Sequence, residues 1–224
     1  MHEGVKAEVF KKYRVSGGGY KKNVKCPNCL SVDRSRLLYL FFQLRTKVFH
    51  EKTKILHISP NFEIARFLCQ HKTIEHITGA IEPERFTEFH AVKTDVQKMN
   101  FADNTFDVAI CCHVLEHVDD DKAAMKELYR VVKPNGFAVL QVPLAINLDK
   151  TIEDKTATTD KLRKIAHGQN DHVRLYGLDY FDKLRGVGFR VERDNPFTNA
   201  WLGEAELAKH ALDRIEDVIV CHKD

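Results

Sequence analysis

The sequence lacks any apolar stretch long enough to cross a bilayer. Its longest strongly apolar run, Leu37-Leu38-Tyr39-Leu40-Phe41-Phe42, falls far short of the roughly 20 residues a spanning helix needs. A signal-peptide core is missing too, because Met1-His2-Glu3-Gly4-Val5 leads directly into charged residues. There is no strong charge imbalance: 35 Lys and Arg against 32 Asp and Glu leave +3. That is too near balance to argue by itself for a nucleic-acid or membrane partner. Nor is there a disulfide framework. Of the six cysteines only Cys26 and Cys29 form a recognisable pair, so the set reads as reduced. These absences predict a cytoplasmic protein without membrane contact. Internal repeats are also absent. What remains is an ordinary globular composition over 224 residues, enough for one large domain with a full core.

The first 36 residues stand apart. They hold nine basic and three acidic residues, a net +6, which leaves −3 for the rest of a chain whose total is +3. Gly17-Gly18-Gly19 breaks any helix there, so residues 1–36 read as a basic N-terminal arm and 37–224 as the main domain. From Asp33 to about Val48 apolar residues recur at helical spacing.

Strands and helices then alternate. Ile55-Leu56-His57-Ile58 is a short buried strand closed by Ser59-Pro60-Asn61, with Asn61 placed to cap a helix. Further strands are expected near 74–81, 91–94, 106–112 and 137–142. A helix from Asp119 to Val132 is stopped by Lys133-Pro134-Asn135-Gly136. Residues 144–175 read as a long polar, irregular insertion (143–177 at its widest) on the substrate side. A helix near 179–185 and strands at 189–192 and 217–221 complete the chain. This alternation predicts an α/β, doubly wound, mainly parallel sheet. Its ligand site lies beyond the carboxyl ends of the strands, which singles out 59–62, 80–84, 95–97, 111–117 and the segment after 143.

Two short motifs carry metal chemistry in other settings. His113-Val114-Leu115-Glu116-His117 has the His-x-x-Glu-His spacing of one metalloprotease class. That chemistry needs the pentapeptide inside a helix, whereas here it follows a buried strand directly. Cys26-Pro27-Asn28-Cys29 is half of a structural zinc site, to be completed by a distant His or by the same pair of a second subunit; otherwise it is a plain turn.

The run Asn100-Phe101-Ala102-Asp103-Asn104-Thr105-Phe106-Asp107-Val108-Ala109-Ile110, then His113 to His117, then the helix through Lys133-Pro134-Asn135-Gly136, resembles the class I, S-adenosylmethionine-dependent methyltransferases. The resemblance extends to a bacterial subgroup with an N-terminal Cys-Pro-x-Cys, Arg34-x-Arg36-Leu37-Leu38 and Gly168-Gln169-Asn170-Asp171-His172-Val173-Arg174-Leu175-Tyr176-Gly177. It implies a seven-stranded Rossmann-like sheet and methyl transfer from S-adenosylmethionine. The glycine-rich turn usual after the first strand is replaced by His57-Ile58-Ser59-Pro60-Asn61. The acid expected at the end of the second strand is Ala80, and Glu82, two residues on, is the candidate in its place.

The resemblance assigns the cofactor to His57, Ser59, Pro60, Glu82, Asp95, Val96, Cys112 and His113. Asp95 would accept from the adenine amino group and Val96 pack on the ring, although Asp95 equally suits a helix N-cap. Cys112 and His113 would line the methionine end. Methyl transfer is an in-line displacement that demands alignment and exclusion of water, and an acceptor proton often needs a base. His172 is the first candidate for that base, with Asp171 to orient its ring, and His117 the second. Thr151, Glu153, Gln169, Arg174 and Tyr176 are candidate acceptor contacts, with Arg174 suited to an anionic group. The expected acceptor is a small molecule or glycan. The alternatives are a non-catalytic scaffold protein, or an RNA or nucleotide methyltransferase that uses the basic arm.

Overall fold

The computed structural model describes residues 6–19 and 24–224; Glu3, Tyr20, Lys21 and Lys22 of the arm lie outside the described residues. The centre is a seven-stranded sheet. Its strands are β2 (Thr53–Ile58), β3 (Ile74–Ala80), β4 (Val92–Lys93), β5 (Phe106–Cys112), β6 (Val132–Gln141), β8 (Arg190–Asp194) and β9 (Val218–His222). Their spatial order is β4-β3-β2-β5-β6-β9-β8. β2, β3, β4, β5 and β6 run parallel, and β9 is antiparallel to both of its neighbours. The apolar runs read from the sequence become the inner strands because both faces are covered, which suits near-continuous hydrophobic strands.

The covering helices are α2 (Asp33–Arg45), α3 (Phe62–Cys69), α4 (Asp121–Val131) and α6 (Tyr180–Gly186). On one face Leu56, Ala109 and Leu140 pack against Met125 and Leu128 of α4 and Leu184 of α6. On the other, Ile55, Ile110 and Val139 meet Leu38, Phe41 and Phe42 of α2 and Leu68 of α3. Asp120 caps α4 through its Oδ1, which accepts from the Ala123 N–H at 2.9 Å. Asn61 precedes α3 as expected, but its side chain makes no cap bond. The helix before Lys133 gives way at once to β6, which starts at Val132. Asp107 ties the strands together: its Oδ2 accepts from Lys54 N–H at 2.8 Å and its Oδ1 from Lys133 Nζ at 2.7 Å.

The insertion is more ordered than its polarity suggests. It contains β7 (Leu144–Ala145), the helix α5 (Asp160–His167) and a bridge between Ile152 and Leu175. Thr159 caps α5 by accepting from Leu162 N–H at 3.3 Å. Gly168 ends the helix at φ +95°, where a Cβ would stand 2.0 Å from the Phe10 ring, so glycine is required twice over. Phe10 belongs to the short helix α1 (Glu8–Lys12), and β1 (Val15–Ser16) pairs antiparallel with β7. Phe10 and Val15 are buried with Ala145 and Leu175. Residues 7–16 of the basic arm are therefore packed onto the insertion. Two further elements left no readable sequence pattern: a 3₁₀ helix (Pro83–Phe89) and the helix α7 (Glu204–Lys209). Among the described residues no helix is long and apolar enough to cross a membrane.

Candidate functional site

Strand order reverses between β2 and β5, since the chain runs outward through β3 and β4 before returning. Open α/β sheets bind ligands at such a switch point, beyond the strand ends. A cleft of about 500 Å³ lies there, lined by Ser59, Ala80, Glu82, Asp95, Val96, Gln97, His113, His117 and Asp171 among others.

Its floor is the turn after β2. Ser59 takes φ +44°, a left-handed conformation that glycine adopts freely and serine at a cost. Its N–H donates to Gly79 O at 2.8 Å. The turn therefore keeps a glycine-like backbone without a glycine. Ala80 is fully buried at the end of β3. Glu82 is exposed at the rim, with its Oε2 3.2 Å from Arg85. Asp95 Oδ1 accepts from the Gln97 N–H at 2.9 Å and from Gln97 Nε2 at 3.2 Å. No helix follows Asp95, so it closes a turn rather than capping a helix. Gln97 Oε1 in turn accepts from Asp120 N–H at 2.8 Å, which locks this loop to the start of α4.

Three expected cofactor contacts face elsewhere. Side chains alternate along a strand, and that alternation carries His57 to the side opposite Ile58. There it is fully buried, with Nδ1 3.4 Å from His76 Nε2. Burial, and then the neighbouring His76, push its pKa well down. Cys112 also turns to the α2 face, among Val108, Ile110 and Val139, and burial pushes its thiol up to about 12. Pro60 is buried and lines neither cavity described here.

A second cavity of about 320 Å³ adjoins the first. Residues 17–19, Asp33, Arg34, Glu116, Pro143, Gln169 and His172 line it, together with His113, His117 and Asp171. Those last three line both spaces and form the wall between them.

Behind that wall lies a polar cluster. His113 follows β5 at φ +58°, and the chain folds back in one turn, with His117 N–H donating to Val114 O at 3.0 Å. This turn drives Glu116 inward to 1% exposure. His113 Nδ1 is 3.4 Å and His117 Nε2 3.9 Å from Glu116 Oε1. Burial raises the Glu116 carboxyl, but the close imidazole of His113, with His117 and His172 beyond it, outweighs burial and leaves its pKa below the ordinary value. His172 is also 1% exposed, and its Nδ1 has no hydrogen-bond partner. Burial pushes its pKa down, which favours the neutral imidazole. The rings of His117 and His172 meet edge to face at 4.7 Å. Asp171 does not orient His172 as expected. Its Oδ2 and its backbone O instead approach His117 Nδ1, at 3.4 and 3.3 Å.

Of the expected acceptor contacts, only Gln169 lines the second cavity. Arg174 is 1% exposed, and its guanidinium is spent on main-chain carbonyls. Nη1 donates to Leu115 O at 2.7 Å and to Val118 O, and Nη2 to Asp119 O at 3.0 Å. Tyr176 is fully buried and donates through its hydroxyl to Leu115 O and Asp121 Oδ2. Both hold the 115–121 segment in place, so the anion-binding role for Arg174 is replaced by a structural one. Thr151 is occupied by Asp179, whose Oδ1 accepts from its hydroxyl at 2.7 Å. Glu153 is exposed beside Arg174, 3.4 Å from Nη2, and lines a separate cleft. Glu116, Asp33 and residues 17–19 were not among the expected site residues. The spacing of His113, Glu116 and His117 was the available signal for the first; Gly17-Gly18-Gly19 read only as a break in the helix, and Asp33 only as the start of one.

Zinc at Cys26 and Cys29 finds no support. Cys29 Sγ lies 3.0 Å from Ser31 Oγ, and among the described residues no third metal-binding side chain joins the pair.

Residues 61–140 match a family model described as a methyltransferase domain. A sterol 24-C-methyltransferase of Kluyveromyces lactis is 32% identical over 109 residues, 46% of this chain and 28% of that protein. A sterol 24-C-methyltransferase of Neurospora crassa is 26% identical over 187 residues, 73% of this chain and 47% of that protein. The chain thus spans less than half the length of these curated relatives. Among solved structures, an S-adenosylmethionine-dependent methyltransferase of Mesorhizobium loti superposes with a TM-score of 0.54 at 15% identity, covering 84% of this chain and 95% of that one. Residues 61–140 are thus similar to a methyltransferase domain, and the chain folds as a Rossmann-like, mostly parallel sheet.

Proposed function

We propose that this chain is an S-adenosylmethionine-dependent methyltransferase whose acceptor is a small polar molecule or a glycan unit. One observation carries the reading: two cavities at the strand ends share a single wall of His113, His117 and Asp171. That is the arrangement two-substrate transfer requires, with donor and acceptor on either side of one contact surface.

The larger cleft suits the cofactor in size and backbone shape. The left-handed turn at Ser59 and the small, buried Ala80 keep its floor low. Bound there, S-adenosylmethionine supplies a methyl group already activated on a sulfonium. Asp95 would hold the adenine amino group, Val96 the ring face, and Glu82 the ribose hydroxyls that Ala80 cannot reach. His113 stands at the methionine end. In the smaller cavity Arg34, Asp33 and Gln169 offer charged and amide groups to a compact acceptor. A space of about 320 Å³ sits at the lower end of the range for small-molecule sites. His172 Nδ1, unpartnered and on a neutral imidazole, is the base assigned to take the acceptor proton, and Asp171 sets the His117 ring beside it.

A small acceptor is preferred over nucleic acid because part of the basic arm is committed internally. Arg36 donates to His210 O at 2.7 Å and to Ser31 O at 2.6 Å. The competing reading is a domain that keeps the fold without transferring a methyl group. The fold alone does not exclude it, since the [4+2]-cyclase SpnF superposes with a TM-score of 0.50 at 15% identity, covering 79% of this chain and 64% of that one.

Calorimetric titration separates the two readings. S-adenosylhomocysteine should bind at micromolar affinity, about −8 kcal/mol. Asp95→Ala should weaken binding by about 1–3 kcal/mol through the lost hydrogen bond. No heat at millimolar ligand would favour the non-catalytic reading.

A further inference from the structure

Glu116 is a buried carboxylate to which the base assignment gives no role. A carboxylate at 1% exposure loses its hydration, and that loss costs several kcal/mol unless a cation or strong donors replace the water. Neither of its oxygens accepts a hydrogen bond of good geometry among the described residues. Among the described residues no Lys or Arg pairs with it either. What faces it is three imidazoles: His113 and His117 from its own turn, and His172 from the segment after α5. One ligand atom each from Glu116, His117 and His172 lie within 4.8 Å of one another.

We propose that Glu116, His117 and His172 form a binding site for a divalent transition metal of the zinc type, with His113 beside it at the cavity wall. Two imidazoles and one carboxylate are the donor set such ions take when a coordination position is left open for a substrate. Two unpartnered, buried polar groups point to a missing ligand: both oxygens of Glu116, and Nδ1 of His172. The outer contacts fit as well. A metal-bound imidazole commonly directs its second nitrogen to a carboxylate or carbonyl, and His117 Nδ1 meets both on Asp171, at 3.4 and 3.3 Å. The frame is rigid on each side. Val173 N–H donates to Glu116 O at 2.9 Å, and Arg174 and Tyr176 fix Leu115 O. The donors, within 4.8 Å of one another, lie near the spacing of about 3–3.5 Å that ligation needs.

The site opens where chemistry would use it. Glu116, His117 and His172 all line the smaller cavity, and His117 lines the cofactor cleft as well. An ion there would hold an acceptor through an oxygen, nitrogen or sulfur atom at the wall between the two spaces and would itself ease loss of the acceptor's proton. With Nδ1 of His172 on the metal, that nitrogen no longer serves as the base, and the ion takes over its role. This part of the inference rests on the methyltransferase reading, whereas metal binding itself does not.

The test uses the full chain, stripped with chelator and titrated with Zn²⁺ by calorimetry and with Co²⁺ by absorption. One equivalent per chain should bind, and the Co²⁺ spectrum should show nitrogen and oxygen ligation without a thiolate charge-transfer band. His172→Ala and Glu116→Gln should each weaken binding on the order of a hundredfold or more. Asp171→Asn should weaken it by roughly 10–100-fold, and Cys29→Ser should leave it unchanged. His117→Ala, at a partly exposed position, provides a ligand-loss variant if Glu116→Gln does not fold. No stoichiometric binding, undiminished binding in His172→Ala, or a thiolate band abolished by Cys29→Ser would overturn the proposal. S-adenosylhomocysteine affinity, measured in parallel, keeps the two readings separate. Cofactor binding without metal binding refutes only this inference, and metal binding without cofactor binding refutes only the methyltransferase reading.

Discussion

Arg174→Met should lower the stability of the folded chain by about 3–5 kcal/mol in urea unfolding at neutral pH. The guanidinium lies in the interior, 1% exposed, with Nη1 on Leu115 O at 2.7 Å and Nη2 on Asp119 O at 3.0 Å. Glu153 Oε1 lies 3.4 Å and Asp121 Oδ2 3.8 Å away. Methionine fills much of the volume but removes the Arg174 donor from Val118 O and Asp119 O and leaves Leu115 O with the Tyr176 hydroxyl alone. Each buried carbonyl left unpaired costs about 1–3 kcal/mol. Arg174→Lys should recover only part of the loss, because one ammonium cannot reach carbonyls on both sides of the turn. Transfer activity should fall along with stability, since the same carbonyls position Glu116 and His117. A loss below about 1 kcal/mol in Arg174→Met would mean that the 115–119 turn is held by something else.

His172→Ala should leave S-adenosylhomocysteine affinity within about threefold, yet lower turnover by about 10²–10⁴. The separation follows from geometry. His172 lines the smaller cavity and not the cofactor cleft, so its removal leaves the cofactor site untouched and acts on the acceptor side. Until the acceptor is identified, labelled cofactor and a pool of cell-extract metabolites provide the readout. Full transfer activity in the variant would end the assignment of His172. Lost cofactor binding would place that residue in the wrong pocket.

The sheet was legible because buried parallel strands leave short apolar runs, as in Ile55-Leu56-His57-Ile58 and Phe106 to Cys112. α5 was not. Its only large apolar residues, Leu162 and Ile165, are exposed, and Lys161, Arg163 and Lys164 stand among them, so no buried apolar stripe marked it. The loops that line the larger cleft were legible from the switch-point rule, which named 59–62, 80–84 and 95–97. Which side of a strand faces the cleft was harder: β2 and β5 are buried on both faces, so no polar alternation told His57 from Ile58, or Cys112 from His113. Arg174 was misread for a different reason. Arginine is almost never fully buried unless paired, and its partners here are backbone carbonyls contributed by another segment, which leave no mark in sequence. Glu116 was visible only as part of a His-x-x-Glu-His string. Its meaning depends on His172, which arrives from 56 residues further along the chain.

The central claim is that the cofactor sits over the ends of β2, β3 and β5, with its reactive end at the wall shared by the two cavities. A crystal structure of the chain with S-adenosylhomocysteine tests it most directly. The account predicts adenine between Asp95 and Val96, the ribose hydroxyls at Glu82, and the thioether sulfur facing His113 and His117. Ligand seated instead between residues 17–19 and Arg34, or no density over the strand ends at saturating concentration, would contradict it.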